Sequence, residues 1–203
     1  VEDFDLPEGP QGGDCKGVYV GYTASGSEQM YFFDCDAVDC SSGSVFELSS
    51  PLARGSLDCP TSTNCKIVYY DALAGGLVTF QFADCDQADC LPTWTDQPDP
   101  WTSQAGVETV SLTYDRPNTD IYAHIIKDTS GVDTSDKAYY KSTDTASISW
   151  TAETNWGWTT GTLNQISSNE QGEGTSQIGV VLHEATNSNY EFATIPERIW
   201  LLL

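Results

Sequence analysis

Apolar and polar residues alternate in short runs along this chain, and the runs come in pairs. Ile67–Tyr70 is an apolar, β-branched and aromatic run, residues 71–76 are turn material, and Leu77–Phe82 is a second apolar run. A pair of that kind predicts a hairpin. The hairpin lies within CKIVYYDALAGGLVTFQFADCDQADC, Cys65 to Cys90, which ends in an acidic loop with Cys85 and Cys90 on either side of four residues. Fifty residues upstream, Cys15 to Cys40 reads CKGVYVGYTASGSEQMYFFDCDAVDC. Cys15, Lys16, Val18, Tyr19, Ala24, Gly26, Phe32, Asp34, Cys35, Asp36, Asp39 and Cys40 all recur as the identical residue. A period near fifty marks an array of supersecondary units.

The same grammar continues beyond the cysteines. Residues 108–128, ETVSLTYDRPNTDIYAHIIKD, place Tyr114-Asp115 where Tyr70-Asp71 stood, with a polar turn and a return strand from Ile121 to Lys127. Residues 177–195, QIGVVLHEATNSNYEFATI, form a fourth version with Glu184 at the acid position. Four hairpins of one pattern are therefore expected. Further strands are predicted at Val45–Leu48, Lys137–Ser142, Ser147–Thr151 and Thr162–Ser167. No stretch carries a sustained 3.6-residue apolar stripe, so almost no helix is expected. Residues 1–14 read as an extended segment, 15–100 as two cysteine-bearing repeats, 101–197 as two cysteine-free repeats, and 198–203 as an apolar tail. The turn-rich stretch from Pro92 to Ala105 reads as a connector.

Repeated small sheets with similar inner hairpins are the habit of β-propellers. The predicted fold is all-β: a propeller-like array of about four antiparallel blades, stapled by disulfides. Four blades are few, so two variants stay open, a part of a larger ring and sheets completed by a strand from a neighbouring chain. A β-sandwich is the alternative architecture. The Val-Tyr-Tyr-Asp, turn, Gly-Leu-Val-Thr-Phe cadence resembles the repeats of sialidase-like (Asp-box) β-propellers. So does residues 142–150, STDTASISW, after Tyr139-Tyr140-Lys141, although Ala146 replaces the usual Gly and one residue is inserted before Ser149. The resemblance implies that Asp144 braces a turn and that Trp150 packs between blades. It implies a fold, not an activity.

Charge narrows the partners. Thirty acids against eight bases give a formal −22. Nucleic acid and anionic bilayers are disfavoured, because both need clustered Lys and Arg. Cations, basic proteins, neutral sugars and other copies of the chain remain. The seven cysteines point to an oxidising compartment, hence a secreted or cell-surface protein. Their spacing predicts the pairs Cys35–Cys40, Cys59–Cys65 and Cys85–Cys90. Cys15 has no partner in that scheme: it is free, joins another chain, or lost its partner upstream. The chain begins at Val1 without an initiator Met and reads as a mature or trimmed product. Residues 199–203, IWLLL, are far too short to cross a bilayer, which takes about 20 residues. They read as the start of a sorting tail or as a terminal strand.

Candidate chemistry is sparse. Asp34, Asp36 and Asp39, then Asp84, Asp86 and Asp89, then Asp128, Asp133 and Asp136, each offer three carboxylates to a hard cation such as calcium. The same placement equally suits turn bracing. No Cys-x-x-Cys or His-bearing pattern suggests zinc. Sialidase chemistry needs an arginine cluster, and Arg54, Arg116 and Arg198 lie in a linker, a hairpin turn and the C-terminal end. His124 and His183 fall on predicted strands, each read as a residue with a satisfied ring nitrogen. Trp94, Trp101, Trp156 and Trp158 sit in small-polar surroundings that suit either sugar rings or blade interfaces. The expected function is a structural or adhesive surface protein, a filament-forming subunit among its forms, without catalysis. A glycan-binding module and a sialidase-like glycoside hydrolase are the alternatives.

Overall fold

The computed structural model describes residues 3–5, 15–22, 28–35, 43–49, 53–61, 64–72, 77–85, 95–115, 117–128, 136–157, 162–170, 178–184, 189–195 and 201–202. Every regular element among them is a strand. They form four small antiparallel sheets. The first holds β1 (Asp3–Asp5), β2 (Cys15–Tyr22), β3 (Glu28–Cys35) and β4 (Gly43–Ser49). The second holds β5 (Ala53–Thr61), β6 (Asn64–Ala72), β7 (Leu77–Cys85) and β8 (Thr95–Gln97), with β9 (Ser103–Ala105) also paired to β7. The third holds β10 (Val107–Asp115), β11 (Asp120–Asp128), β12 (Asp136–Asp144) and β13 (Thr154–Asn155). The fourth holds β14 (Leu163–Glu170), β15 (Ile178–Glu184), β16 (Asn189–Ile195) and β17 (Leu201–Leu202). Strand order follows chain order in each sheet, apart from β9, which returns to β7, so each sheet is built on a meander.

The fifty-residue repeat is a repeat of register. β2 and β3 pair from Cys15 opposite Cys35 to Tyr22 opposite Glu28. β6 and β7 pair from Cys65 opposite Cys85 to Ala72 opposite Val78, the same alignment shifted by fifty. These hairpins are the middle pairs of their sheets, as β15–β16 is of the fourth. The third hairpin of the sequence departs from this: β10–β11 is the first pair of its sheet, and the middle pair is β11–β12. Any tight antiparallel pair shows apolar run, acid, turn, apolar run, so the pattern does not report a hairpin's place in its sheet.

Three expectations shift in detail. The segment 1–14 carries β1, laid on β2 with Phe4 opposite Gly17. The stretch 92–105 carries β8 and β9, which extend the second sheet along β7. Ser147–Thr151 is not a strand: Ser147 makes one bridge to Asp144, Thr151 N–H donates to the Ser142 carbonyl at 2.8 Å, and strand pairing with β12 resumes at Thr154–Asn155. The apolar C-terminal run carries β17, paired with β16 through Leu202 opposite Glu191.

Alternation gives each sheet two faces, and the sheets stack in chain order. Val18, Met30 and Phe32 meet Leu57 and Ile67 between the first and second sheets. Val68, Tyr70 and Phe82 meet Val110, Leu112 and Ile121 between the second and third. Ile126, Ala138 and Trp156 meet Ile166, Val180 and Leu182 between the third and fourth. β10 packs against β5 on one side and β14 on the other. The first seam is tight: a Cβ on Gly55 would lie 2.8 Å from Met30 Sδ and 2.9 Å from Tyr69 Cβ. Cys59 and Cys65 form a disulfide beside it, joining the end of β5 to the start of β6.

Candidate functional site

The polar side chains with the most defined geometry lie where sheets meet. The first strand of a sheet leaves edge N–H groups that need acceptors. On β10 these come from the second sheet: Leu112 N–H donates to Ser56 Oγ at 2.9 Å and Tyr114 N–H to Asp58 Oδ2 at 2.7 Å. Tyr70 O–H donates to the Glu108 carbonyl at 3.0 Å. On β14, Leu163 N–H donates to the buried Asp136 carboxylate at 2.9 Å, and Ser168 N–H to Ser111 Oγ at 3.0 Å. Thr113 Oγ1 donates to Ser168 Oγ.

The densest cluster joins the second and third sheets. Glu153 accepts from Trp101 Nε1–H at 2.7 Å and from Lys127 Nζ at 2.8 and 2.9 Å. Lys127 also donates to Gln104 at 3.0 Å and lies 4.4 Å from the Tyr139 ring centroid. Lys141 stands 5.7 Å over Trp101. Burial, then the Glu153 charge, pushes the Tyr139 hydroxyl above its ordinary pKa, against the bond it makes with Asn155.

A second constellation follows β12. Asp144 Oδ1 accepts from Ala146 N–H at 2.7 Å, and Thr143 Oγ1 accepts from Ser149 N–H at 2.7 Å. Ser142 N–H donates to Thr151 Oγ1 at 3.0 Å. These side chains take backbone groups that a strand over Ser147–Thr151 would have used. Trp150 then reaches the second sheet, with its N–H on the Pro98 carbonyl at 2.7 Å and its ring edge-to-face with Phe82.

The acidic groups divide. Asp34 and Asp84 lie one residue before the ends of β3 and β7, in register with Lys16 and Lys66. Both lysines are buried, and Asp5 and Asp58 flank them from the other side. Asp128 sits opposite Asp136, whose carboxylate serves Leu163. Asp36, Asp39, Asp86, Asp89 and Asp133 lie outside the described residues. Among the described residues no three His, Cys, Asp or Glu side chains are grouped to hold a metal ion. Asp115, Asp120 and Asp144 stand in register across three strands. Burial, then those two neighbours, holds the Asp120 carboxyl above its ordinary pKa.

Trp101 and Trp156 are buried in the second and third seams; Trp94 and Trp158 lie outside the described residues. Arg54 is on exposed β5 surface, and Arg116 and Arg198 lie outside the described residues. Cys15 stands opposite Cys35 in register, while Cys40 and Cys90 lie outside the described residues, and with them the proposed Cys35–Cys40 and Cys85–Cys90 pairs. His124 corrects the expectation of a satisfied ring nitrogen. It is fully buried, and neither Nδ1 nor Nε2 has a hydrogen-bond partner among the described residues. Tyr122, Tyr140 and Trp156 surround it at centroid distances of 6.5, 6.2 and 5.8 Å. Sequence reasoning missed Glu153 and Gln104, because a lone acid or amide in a loop carries no pattern. No family model and no curated protein matches this chain.

Proposed function

We propose that the chain is a structural or adhesive module of a secreted or cell-surface material, folded as a propeller-like array of blades and turning over no substrate. The observation that carries this reading is where the chemistry-bearing side chains are used. Glu153, Lys127 and Trp101 tie the second sheet to the third, and Ser111, Ser168 and Asp136 tie the third to the fourth. None of these groups is arranged as a nucleophile beside a base. Four consecutive meanders packed in chain order support the propeller-like reading. So do the turn braced by Asp144 and the Trp150 contact with the preceding sheet. The Cys59–Cys65 disulfide supports an oxidising compartment. The test is a panel of glycosides and a glycan array, run beside immunolocalisation on intact cells. Surface or extracellular location with no turnover and no glycan retained is expected. Hydrolysis of any glycoside, or a protein held in the cytosol, overturns the reading.

A further inference from the structure

A stack of sheets has two ends. Three seams use one face of the first sheet, both faces of the second and third, and one face of the fourth. The remaining face of the first sheet carries Tyr19, Tyr31 and Val45. The tyrosine rings stack at 5.2 Å and 17°, and Val45 is 57% exposed. Tyr31 O–H donates to Gln29, which donates to Glu47, so this face is also ordered by a polar row. The remaining face of the fourth sheet carries Val181 and Phe192, opposite one another, and Tyr190, 49% exposed. Val45 and Tyr190 are the large apolar side chains most open to solvent among the described residues, and they lie on opposite end faces.

The internal repeat says what covers the first of these faces. Tyr19 corresponds to Tyr69, in strands of identical register. In the second sheet the face that bears Tyr69 is covered by Val18, Met30 and Phe32 of the preceding sheet. Among the described residues no seam covers the same face of the first sheet. The fourth sheet supplies, at the other end, an apolar face left after its own seam. We propose that these end faces dock on each other between molecules: the Val181–Tyr190–Phe192 face of one copy covers the Tyr19–Tyr31–Val45 face of the next, continuing the chain's own seams. The occupant of each end is a second copy of this chain. The contact is heterologous, so it propagates into a filament unless the rotation closes it into a ring. It rests on the reading of the chain as an assembly module and adds which surfaces assemble.

Each copy carries a formal −22, so like-charge repulsion opposes stacking and added salt favours it, the screening length falling from about 10 Å at 0.1 M to about 3 Å at 1 M. The experiment is light scattering coupled to gel filtration across protein concentration at low and high salt, on the wild-type chain and two variants, Val45→Glu and Tyr190→Glu. Both substitutions fall on exposed side chains, and circular dichroism checks that the fold persists. The wild-type mass is expected to rise with concentration and with salt beyond two protomers. Each variant alone is expected to stay at one protomer, since each has lost one end. An equal mixture is expected to stop at two protomers, because each variant keeps the end the other lacks. A wild-type chain that stays monomeric overturns the proposal, as ring closure within one molecule would produce that result. Association that survives either substitution, or a mixture that stays monomeric, overturns it too. A monomeric chain that is surface-located and inert would sink the stacking alone and leave the broader reading standing.

Discussion

Phe82 and Trp150 meet edge to face, with ring centroids 5.2 Å apart and planes at 83°. The contact crosses from the second sheet to the loop after β12, and its polar end is fixed by the Trp150 N–H on the Pro98 carbonyl. Replacing Trp150 with Ala removes both parts, and replacing it with Phe removes the hydrogen bond while keeping an aromatic ring. A double-mutant cycle between Phe82→Leu and Trp150→Ala is expected to show a coupling of about 1 kcal/mol. Trp150→Phe should cost about 1 kcal/mol, the net worth of one hydrogen bond. Urea unfolding curves measure both, and additive effects would mean the rings do not cooperate.

Glu153 holds two donors from two sheets. Glu153→Gln keeps an acceptor for the Trp101 N–H and loses the charge facing Lys127. That change should cost less than about 1 kcal/mol, because the pair is partly solvated. Glu153→Ala removes both contacts and should cost about 1 to 2 kcal/mol. Wild-type stability should fall modestly with salt at this pair, and the Gln variant should lose that part of the salt dependence. Thermal melts at low and high salt read the difference.

The hairpins were legible in the sequence because alternation and turns are local. The likeness of Cys15–Cys40 to Cys65–Cys90 anticipated two similar hairpins, and their pairing matches. What surrounds each hairpin was not legible, because place in a sheet is set by partners far along the chain. β1, β8, β9 and β13 are two or three residues long, too short for any periodicity. The Asp144 turn shows the same limit from the other side. Ser-Ile-Ser-Trp alternates like a strand, and it is the Asp144, Thr143 and Thr151 side chains that divert its backbone. That Asp34 and Asp84 stand in register with Lys16 and Lys66 was equally hidden, because strand pairing is not a local property of the sequence.

The Cys59–Cys65 bridge closes a short loop at the first seam. Reduction, or Cys59→Ser with Cys65→Ser, removes a constraint on the unfolded chain worth about 2 kcal/mol for a loop of this size. The loss should appear as a lower urea midpoint with the slope little changed. Gly55→Ala tests the same seam by overfilling it. Its Cβ would press on Met30, whose end can shift, and on the Cβ of Tyr69, which cannot without moving β6. A cost of about 1 to 3 kcal/mol is expected from overpacking. A neutral Gly55→Ala would mean that the first two sheets sit farther apart than described.

His124 makes the sheet stack sensitive to acid. Burial alone lowers its pKa to about 3, from an ordinary value near 6.5. Between those values the unfolded chain binds a proton that the folded chain refuses, so stability falls as pH falls through this window. Above about pH 6.5 the contribution is fully present. The full span corresponds to roughly 4 to 5 kcal/mol at 1.36 kcal/mol per pH unit. Asp99 and Asp120, whose carboxyls burial pushes upward, act in the opposite sense, but both are largely solvated and weaker. His124→Phe keeps an aromatic ring among Tyr122, Tyr140 and Trp156 and removes the titration. Urea unfolding at pH 4 and pH 7.5 should show the wild-type chain losing stability on acidification. The Phe variant should lose several kcal/mol less and be the more stable of the two at pH 4. An unchanged pH dependence would place the acid sensitivity elsewhere, among the carboxylates.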